Sequence, residues 1–288
     1  MMRATLIMNP RSGKRRAMTV RECARALAGE IGAELTECTI EAPGHGTALA
    51  REAVAAGQHR VIAVGGDGTL NAVAAGLIGS TVPLGIVAMG SGNGYARSLS
   101  LPLKPEAALR RALSGTVKPM DVCRLNEHLF LGVAGIGFDA RVAWEFDRSG
   151  ARGLWSYVRI SAKEILSAKA MRTVLKANNA TTEQDVLMLV FANTREFGNG
   201  VAISPGSAPD DGLAELQLVH RPAFLPMLKA LYDVFAGRAH KSRYIRTITA
   251  REATVHQAGS LAHLDGEPVV IGNEIHFRLE PKRLLVVT

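Results

Sequence analysis

Between residues 61 and 77 the chain reads VIAVGGDGTLNAVAAGL, and few folds accommodate that order. Val61, Ile62, Ala63 and Val64 make a short apolar run rich in β-branched side chains, the mark of a strand covered on both faces. Gly65, Gly66 and Gly68 follow at once, able to take positive φ and to leave backbone N–H groups uncovered. Leu70, Val73 and Leu77 then recur at helical spacing. A strand that turns through glycines into a helix offers an anion its free N–H groups and the positive end of the helix dipole. Asp67 sits inside that turn. Two like unit charges about 4 Å apart repel by roughly 4 kcal/mol at an effective dielectric of 20. An acid beside phosphate therefore implies a divalent cation between them, or a bond network that holds the acid away. The plain alternative is a tight strand-to-helix turn in which Asp67 merely caps the helix.

Up to about residue 119 strand and helix alternate. Apolar strands at 4–8, 34–40, 61–64 and 83–88 are interleaved with helical patterns near 16–30, 47–56 and 105–113. Such alternation predicts a parallel sheet with helices on its faces and ligands at the C-terminal strand ends. From 120 onward short strands are expected at 121–125, 129–133, 186–192, 213–219, 245–249, 252–256, 274–279 and 284–287, with helices only near 140–168 and 223–235. That is the pattern of a mostly antiparallel β-sandwich. The expected fold class is α/β followed by β, divided into 1–119 and 120–288, with the two domains packed closely around a cleft.

At 288 residues and 47% hydrophobic content the chain can fill real cores. Its longest apolar stretch, 73–89, is broken by Gly76, Gly79, Pro83 and Gly85 and falls short of the ~20 residues a spanning helix needs. The first residues carry too short an apolar run for a signal peptide, so a cytoplasmic chain is expected. Cys23, Cys38 and Cys123 are odd in number and form no CxxC pair, which argues against a disulfide framework or a zinc site. They read as reduced structural residues. The net charge of +8 is concentrated: 141–172 holds seven Lys/Arg against three Asp/Glu, and 221–246 holds six against one. Trp144, Trp155, Tyr157, Phe224, Tyr232, Phe235 and Tyr244 are interleaved with those cations. The mixture suits transient contact with an anionic membrane surface at its inner face; the alternative is a solvated face on ordinary helices. No nucleic-acid recognition module is present, and nucleic acid is not expected as a partner. The sequence leaves a homodimer open.

A second glycine loop, Gly90-Ser91-Gly92-Asn93-Gly94-Tyr95-Ala96-Arg97, follows the strand that ends near Ala88. A third, Asn9-Pro10-Arg11-Ser12-Gly13-Lys14, follows the first strand and sets Lys14 where a cation meets phosphate. Neither is a Walker A loop or a GxGxxG fingerprint. In the C-terminal half, Asp210-Asp211-Gly212-Leu213 and His263-Leu264-Asp265-Gly266-Glu267-Pro268 read locally as turns. A turn does not exclude chemistry. Phosphoryl transfer asks the protein mainly to position groups and stabilise charge, with one Asp accepting the proton of the attacking hydroxyl; Asp265 or Glu267 suits that part.

Asn9-Pro10 with Ser12-Gly13-Lys14, then GGDGTLN, a GSGN loop ending in Ala96-Arg97, GIGFDA at 135–140, DDGL and DGE follow one another in an order that resembles the diacylglycerol kinase and sphingosine kinase catalytic family. The resemblance runs nearly the whole length. It implies an α/β nucleotide domain followed by a β-sandwich, and transfer of the γ-phosphate of ATP to a lipid hydroxyl. Position by position it implies that Gly66, Asp67, Gly68, Thr69, Leu70 and Asn71, beside Gly65, form the ATP loop, with Thr39 and Ser91 as further contacts and Lys14 and Arg97 as phosphate cations. Asp265 would be the proton acceptor. Asp211, with the carbonyls of Ala208 and Leu213, matches a structural Mg²⁺ site, and such an oxygen set suits that ion.

Two positions depart from the family. Ala72 stands where Glu is usual, and Gly94 where bacterial members have Asp. The second acid belongs to a water and metal network around the loop Asp, for which Asp121 is left as the far end. The GSGN wording leans toward the sphingosine kinase branch. Two rivals remain: a NAD kinase, which shares GGDG, and a nucleotide- or lipid-binding regulator without catalysis.

Overall fold

The computed structural model describes residues 1–10, 14–150, 153–223, 233 and 237–288, without the side chains of 14–17, 154, 166 and 240. It divides into two compact units, Met1–Met120 with Lys282–Thr288, and Asp121–Pro281. The sequence boundary at 119/120 assigns 282–288 to the second domain, whereas these residues group with the first. The cause is pairing: Val286 lies parallel to Leu84, and Thr116 and Thr288 exchange backbone hydrogen bonds.

In the first unit the apolar runs become β1 (Met2–Met8), β2 (Ala33–Thr39), β3 (Arg60–Gly65) and β4 (Leu84–Ala88), ordered β2-β1-β3-β4 and all parallel. Residues 61–64 are each 2% exposed or less, as a strand covered on both faces requires. Its helices are α1 (Lys14–Glu30), α2 (His45–Ala55), α3 (Asp67–Leu77), α4 (Gly94–Ser98) and α5 (Pro105–Ser114). Val20, Ala24 and Leu27 of α1 and Leu109 and Leu113 of α5 share one core with Leu6, Ile62, Val64 and Val87. The helices α2 and α3 pack on each other so closely that a Cβ on Gly76 would stand 2.5 Å from the Thr47 carbonyl oxygen and 2.6 Å from the Ala50 Cβ.

In the second unit β5 (Val117–Leu125), whose residues up to Met120 belong to the first unit, β6 (His128–Phe130) and β7 (Val133–Gly137) lead into α6 (Phe138–Arg148) and α7 (Leu154–Ser167). Then come β8 (Met171–Ala177), β9 (Ala180–Val186), β10 (Met188–Ala192), β11 (Ala214–Val219), β12 (Ile245–Ala250), β13 (Glu252–Gln257), β14 (Leu261–Leu264), β15 (Glu267–Val270) and β16 (Glu274–Val287), whose residues from Lys282 onward belong to the first unit. One antiparallel sheet runs β12-β11-β10-β7-β14-β15; β16, β13, β8 and β9 pair antiparallel in another. Phe191 and Phe277, with ring centroids 5.2 Å apart, join the two layers in one core with Phe130, Leu216 and Val255. The fold is the α/β domain plus antiparallel β-sandwich that the sequence predicts.

The differences are local. The hairpin of β8 and β9 has no counterpart in the sequence reading, because β9 lies largely exposed and lacks apolar alternation. Its turn, Asn178-Asn179, takes positive φ at both positions. The strands expected at 274–279 and 284–287 are one continuous strand, bent where Lys282 takes φ 54°. The single helical region at 140–168 is two helices. The helix expected at 223–235 lies almost wholly outside the described residues. All three cysteines are free, and burial, with the Asp121, Asp265 and Glu280 charges nearby, pushes the Cys123 thiol well up.

Two glycine substitutions separate space from helix propensity. Gly76→Ala forces α2 and α3 apart and is expected to cost about 1–3 kcal/mol. Gly29→Ala, in α1 with nothing within 4 Å of the added carbon, is expected to stabilise by up to about 1 kcal/mol. Thermal melts of the two variants should move in opposite directions.

Candidate functional site

The C-terminal ends of β1 to β4 lie level, since Met8 is opposite both Thr39 and Val64, and Gly65 is opposite Ala88. Segments leaving those ends gather on one edge of the sheet, at the reversal of strand order between β1 and β3, where open α/β sheets bind ligands. The N-cap of α3 is Gly66, which has no side-chain oxygen to give the first-turn N–H groups. Asp67 is the first helical residue, so the capping alternative does not hold. An acid in that turn still gains from the helix dipole.

At the end of β4, Met89 N–H donates to the Gly65 carbonyl at 2.7 Å. A Cβ on Gly90 would stand 2.8 Å from the Gly66 Cα, so the two glycine loops touch backbone to backbone. Asn93, in the left-handed region at φ 52° and 8% exposed, turns Oδ1 to within 3.0 Å of that same point and finds no hydrogen-bond donor. A buried acceptor left this way costs about 1–3 kcal/mol. It marks a place where a ligand donor or cation fits. A backbone-lined cradle at a helix N-terminus suits phosphate oxygens, and the orphaned amide oxygen, itself an acceptor, suits a donor or a cation beside them.

The other predicted residues of the first unit surround the cradle unequally. Thr69 is buried, and its Oγ1 accepts a hydrogen bond from Asn9 Nδ2 at 3.1 Å, while Asn9 N–H donates to the Val64 carbonyl. Leu70 belongs to the core and offers a ligand only its backbone. Gly68 and Asn71 are half-buried on α3, and Ser91 is exposed. Thr39 Oγ1 accepts from the Arg21 guanidinium at 2.7 Å. Arg97 donates Nε to the Gly92 carbonyl at 3.1 Å and braces its loop from within. Lys14 opens α1 with its side chain outside the described residues, as are residues 11–13. Asn9, Arg21 and Asn93 were not among the predicted contacts. Asn-Pro reads only as a turn, and nothing local distinguishes Arg21 among the cations of its helix.

In the second unit Asp265 (φ 49°) and Gly266 (φ 87°) are the central pair of the β14–β15 hairpin, a two-residue turn that needs positive φ at both positions. The Asp265 carboxylate accepts three backbone N–H groups: Leu131 at 2.9 Å on Oδ2, and Gly132 at 3.0 Å and Val133 at 2.7 Å on Oδ1. Its own N–H donates to the Val133 carbonyl. Gly132 is tied to this arrangement, because a Cβ there would stand 2.6 Å from Asp265 Oδ1 and 3.2 Å from Thr194 Oγ1, a buried hydroxyl without a partner. Neither Gly132 nor Thr194 carried a signal in the sequence. Glu267 follows the turn. Desolvation, then the Asp147 and Asp265 charges, pushes its carboxyl above the usual value.

Among the described residues no three His, Cys, Asp or Glu side chains cluster as a metal would require. The metal set offered by the sequence is one carboxylate and two carbonyls. Its turn is pinned at several points: Leu213 N–H donates to Asp211 Oδ1 at 2.9 Å, Gly212 N–H to Asp121 Oδ2 at 2.7 Å, and Asp121 N–H to the Pro209 carbonyl at 2.7 Å. Ala208, Asp211 and Leu213 supply hard oxygen donors on this turn, a chemistry that fits Mg²⁺. Asp121, fully buried, fastens it.

Residues 3–125 match the family model of the diacylglycerol kinase catalytic domain, and residues 132–288 match that of the YegS C-terminal NAD kinase beta sandwich-like domain. The chain is 33% identical over 245 residues to a Yersinia enterocolitica protein named "Probable lipid kinase YegS-like", across 80% of this chain and 82% of that one. A Pseudomonas aeruginosa protein of the same name is 30% identical over 262 residues, across 89% and 85%. A crystal structure from Bacillus anthracis str. Sterne, provisionally assigned as a diacylglycerol kinase, matches the fold with a TM-score of 0.81 over 99% of this chain and 96% of that one, at 19% identity.

The raised Glu267 carboxyl gives a signed pH effect. Its favourable contribution to stability is complete below the ordinary carboxylate value and is lost as pH rises through the raised one. Glu267→Gln should therefore melt at the same temperature as the parent or slightly higher at pH 7, by at most about 1 kcal/mol because solvent screens the group. The gap should close on acidification below the carboxylate range, as followed by thermal melts from pH 4 to 8.

Proposed function

The chain belongs to the lipid kinase family marked by the diacylglycerol kinase catalytic domain and the YegS C-terminal domain, and on that premise we propose that it transfers the γ-phosphoryl group of ATP to the hydroxyl of a lipid alcohol. The observation that carries the reading is the cradle formed by the Gly65–Gly66 and Gly90 backbones, with the Asp67 carboxylate in the first turn of α3. Backbone N–H groups at a helix N-terminus bind phosphate oxygens. Asn9 steadies this turn through Thr69, and Arg97 steadies the facing loop through Gly92.

In this reading Asp265 accepts the proton of the lipid hydroxyl. The oxygen forms its bond to the γ-phosphorus as the bond to the β-phosphate oxygen breaks, giving a lipid phosphate and ADP. The three N–H groups on Asp265 hold it in one orientation for that transfer. Ala208, Asp211 and Leu213 would hold a structural Mg²⁺ on their own turn, and Asp67 would meet a separate Mg²⁺ carried by the nucleotide, an ion that supplies positive charge against the phosphates when bound. The acceptor classes are diacylglycerols, sphingoid bases and ceramides.

The enzyme reaches such acceptors at a membrane surface. Trp155 is 84% exposed on α7, and Arg159 and Lys163 follow it at four-residue steps on the same face. Each cation near an anionic leaflet contributes about 1 kcal/mol. Among the described residues no helix is long and apolar enough to cross the membrane.

The test is radiolabelled ATP with mixed micelles of diacylglycerol, sphingosine, ceramide or phosphatidylglycerol, and soluble NAD as a separate acceptor. The parent should label one of the lipids and not NAD. Asp67→Ala and Asp265→Asn should each lose about 100-fold or more, the scale of general-base and phosphate-positioning contributions. Labelling of NAD alone, or full activity in both variants, overturns the reading.

A further inference from the structure

The GIGFDA segment at 135–140 takes no part in the reading above, yet the structure packs it against the hairpin that carries Asp265. Asp139, in the first turn of α6, and His263, on β14, are each 4% exposed. Asp139 Oδ2 lies 3.2 Å from His263 Nε2, and its Oδ1 accepts the Ala140 N–H at 2.8 Å. On the far side of the imidazole, Gly266 N–H donates to Nδ1 at 3.3 Å. A ring nitrogen that accepts an N–H bond carries no proton. The contacts thus set a carboxylate acceptor at Nε2 and an N–H donor at Nδ1, the pairing that suits a proton on Nε2.

Space for the pair comes from β7. His263 is opposite Gly135 in the register, and a Cβ on Gly135 would stand 1.9 Å from Asp139 Oδ2 and 2.9 Å from His263 Nε2. Phe197 covers the ring, with centroids 5.8 Å apart. Gly266 is the second central residue of the turn whose first is Asp265. The turn is therefore gripped twice, from one side through the Asp265 carboxylate on the 131–133 N–H groups, and from the other through the Gly266 N–H on His263.

We propose that His263, oriented by Asp139, is a positioning residue that fixes the Asp265–Gly266 turn, and that this is the work of the GIGFDA motif. The inference rests on the reading of Asp265 as proton acceptor. A merely structural role makes a different demand: a buried carboxylate needs a donor, and the Gly266 contact would be incidental.

Two substitutions divide the imidazole's functions. His263→Asn keeps an acceptor near the position of Nδ1 and gives up the donor to Asp139; His263→Gln keeps a donor near Nε2 and gives up the acceptor for Gly266. With radiolabelled ATP and the micelle panel above, kcat of H263N should exceed that of H263Q by about tenfold or more, with KM for ATP equal in both. Melting temperature should rank the other way. H263Q turning over as fast as H263N, or faster, overturns the proposal. Asp265→Asn separates the two claims: parent-like turnover in that variant removes the proton-acceptor reading, whereas its loss alongside equal H263N and H263Q rates removes only the brace. A readout independent of activity is ¹⁵N-histidine NMR of the intact chain at pH 8, with His263 assigned by its absence in H263N. The Nε2–H tautomer supports the brace; an Nδ1–H tautomer or an imidazolium overturns it.

Discussion

At several places among the described residues, backbone or a polar atom occupies the space a Cβ would need, and four of these lie at or behind the candidate site. Gly90 lies against Gly66, Gly76 against the Thr47 carbonyl, Gly132 against the Asp265 carboxylate, and Gly135 against Asp139 and His263. Forcing extra carbon into packed sites of this kind costs about 1–3 kcal/mol, against the smaller penalty of about 1 kcal/mol for a glycine in regular structure. Three of the four contacts place polar groups that bear on chemistry, and the fourth sets the separation of the helices behind the nucleotide loop. The glycines therefore fix the candidate site through the space they leave empty, and a sequence shows only their identity.

The two carboxylates singled out for chemistry are held by backbone features. Asp67 stands in the first turn of a helix, where the dipole favours an anion. Asp265 is gripped by three N–H groups in a tight turn. The helix dipole and the N–H groups are partial charges only, and Arg97 has its Nε committed to the Gly92 carbonyl. In the reading proposed above, a polyphosphate seated at the cradle meets the Asp67 charge, and the repulsion of roughly 4 kcal/mol expected at 4 Å is the reason for a divalent cation between them; the orphaned oxygen of Asn93 suits the same ion.

The parallel sheet was legible because buried parallel strands are continuous apolar runs and their helices carry a clean 3.6 period, as at 61–77. The hairpin of Asp265 was legible because Asp-Gly is a strong turn signal, though as a turn alone. What could not be read were contacts between residues far apart in the chain. His263 and Asp139 are 124 positions apart, and Asn9 reaches Thr69 across 60. No local period or turn rule registers such pairs. The β8–β9 hairpin escaped for a different reason: an exposed edge strand has little apolar pattern to show.

The same view accounts for one departure from the family pattern and sharpens the other. Ala72 lies in the tight crossing of α2 and α3: its Cβ is 3.2 Å from where a Cβ on Gly46 would stand, and its carbonyl accepts the Thr47 hydroxyl at 2.7 Å. A glutamate there would have to leave this contact toward solvent, so the short side chain follows from packing and is not by itself a mark of lost catalysis. Gly94 is buried at the start of α4, directly after the left-handed Asn93. An ionised acid at that position would need its own buried partner. With Gly94 in place, one nearby polar atom that lacks a partner is the neutral amide oxygen of Asn93, an acceptor that can bind a donor or a cation without adding charge. The loop facing Asp67 thus presents an uncharged oxygen beside the position where an acid is usual.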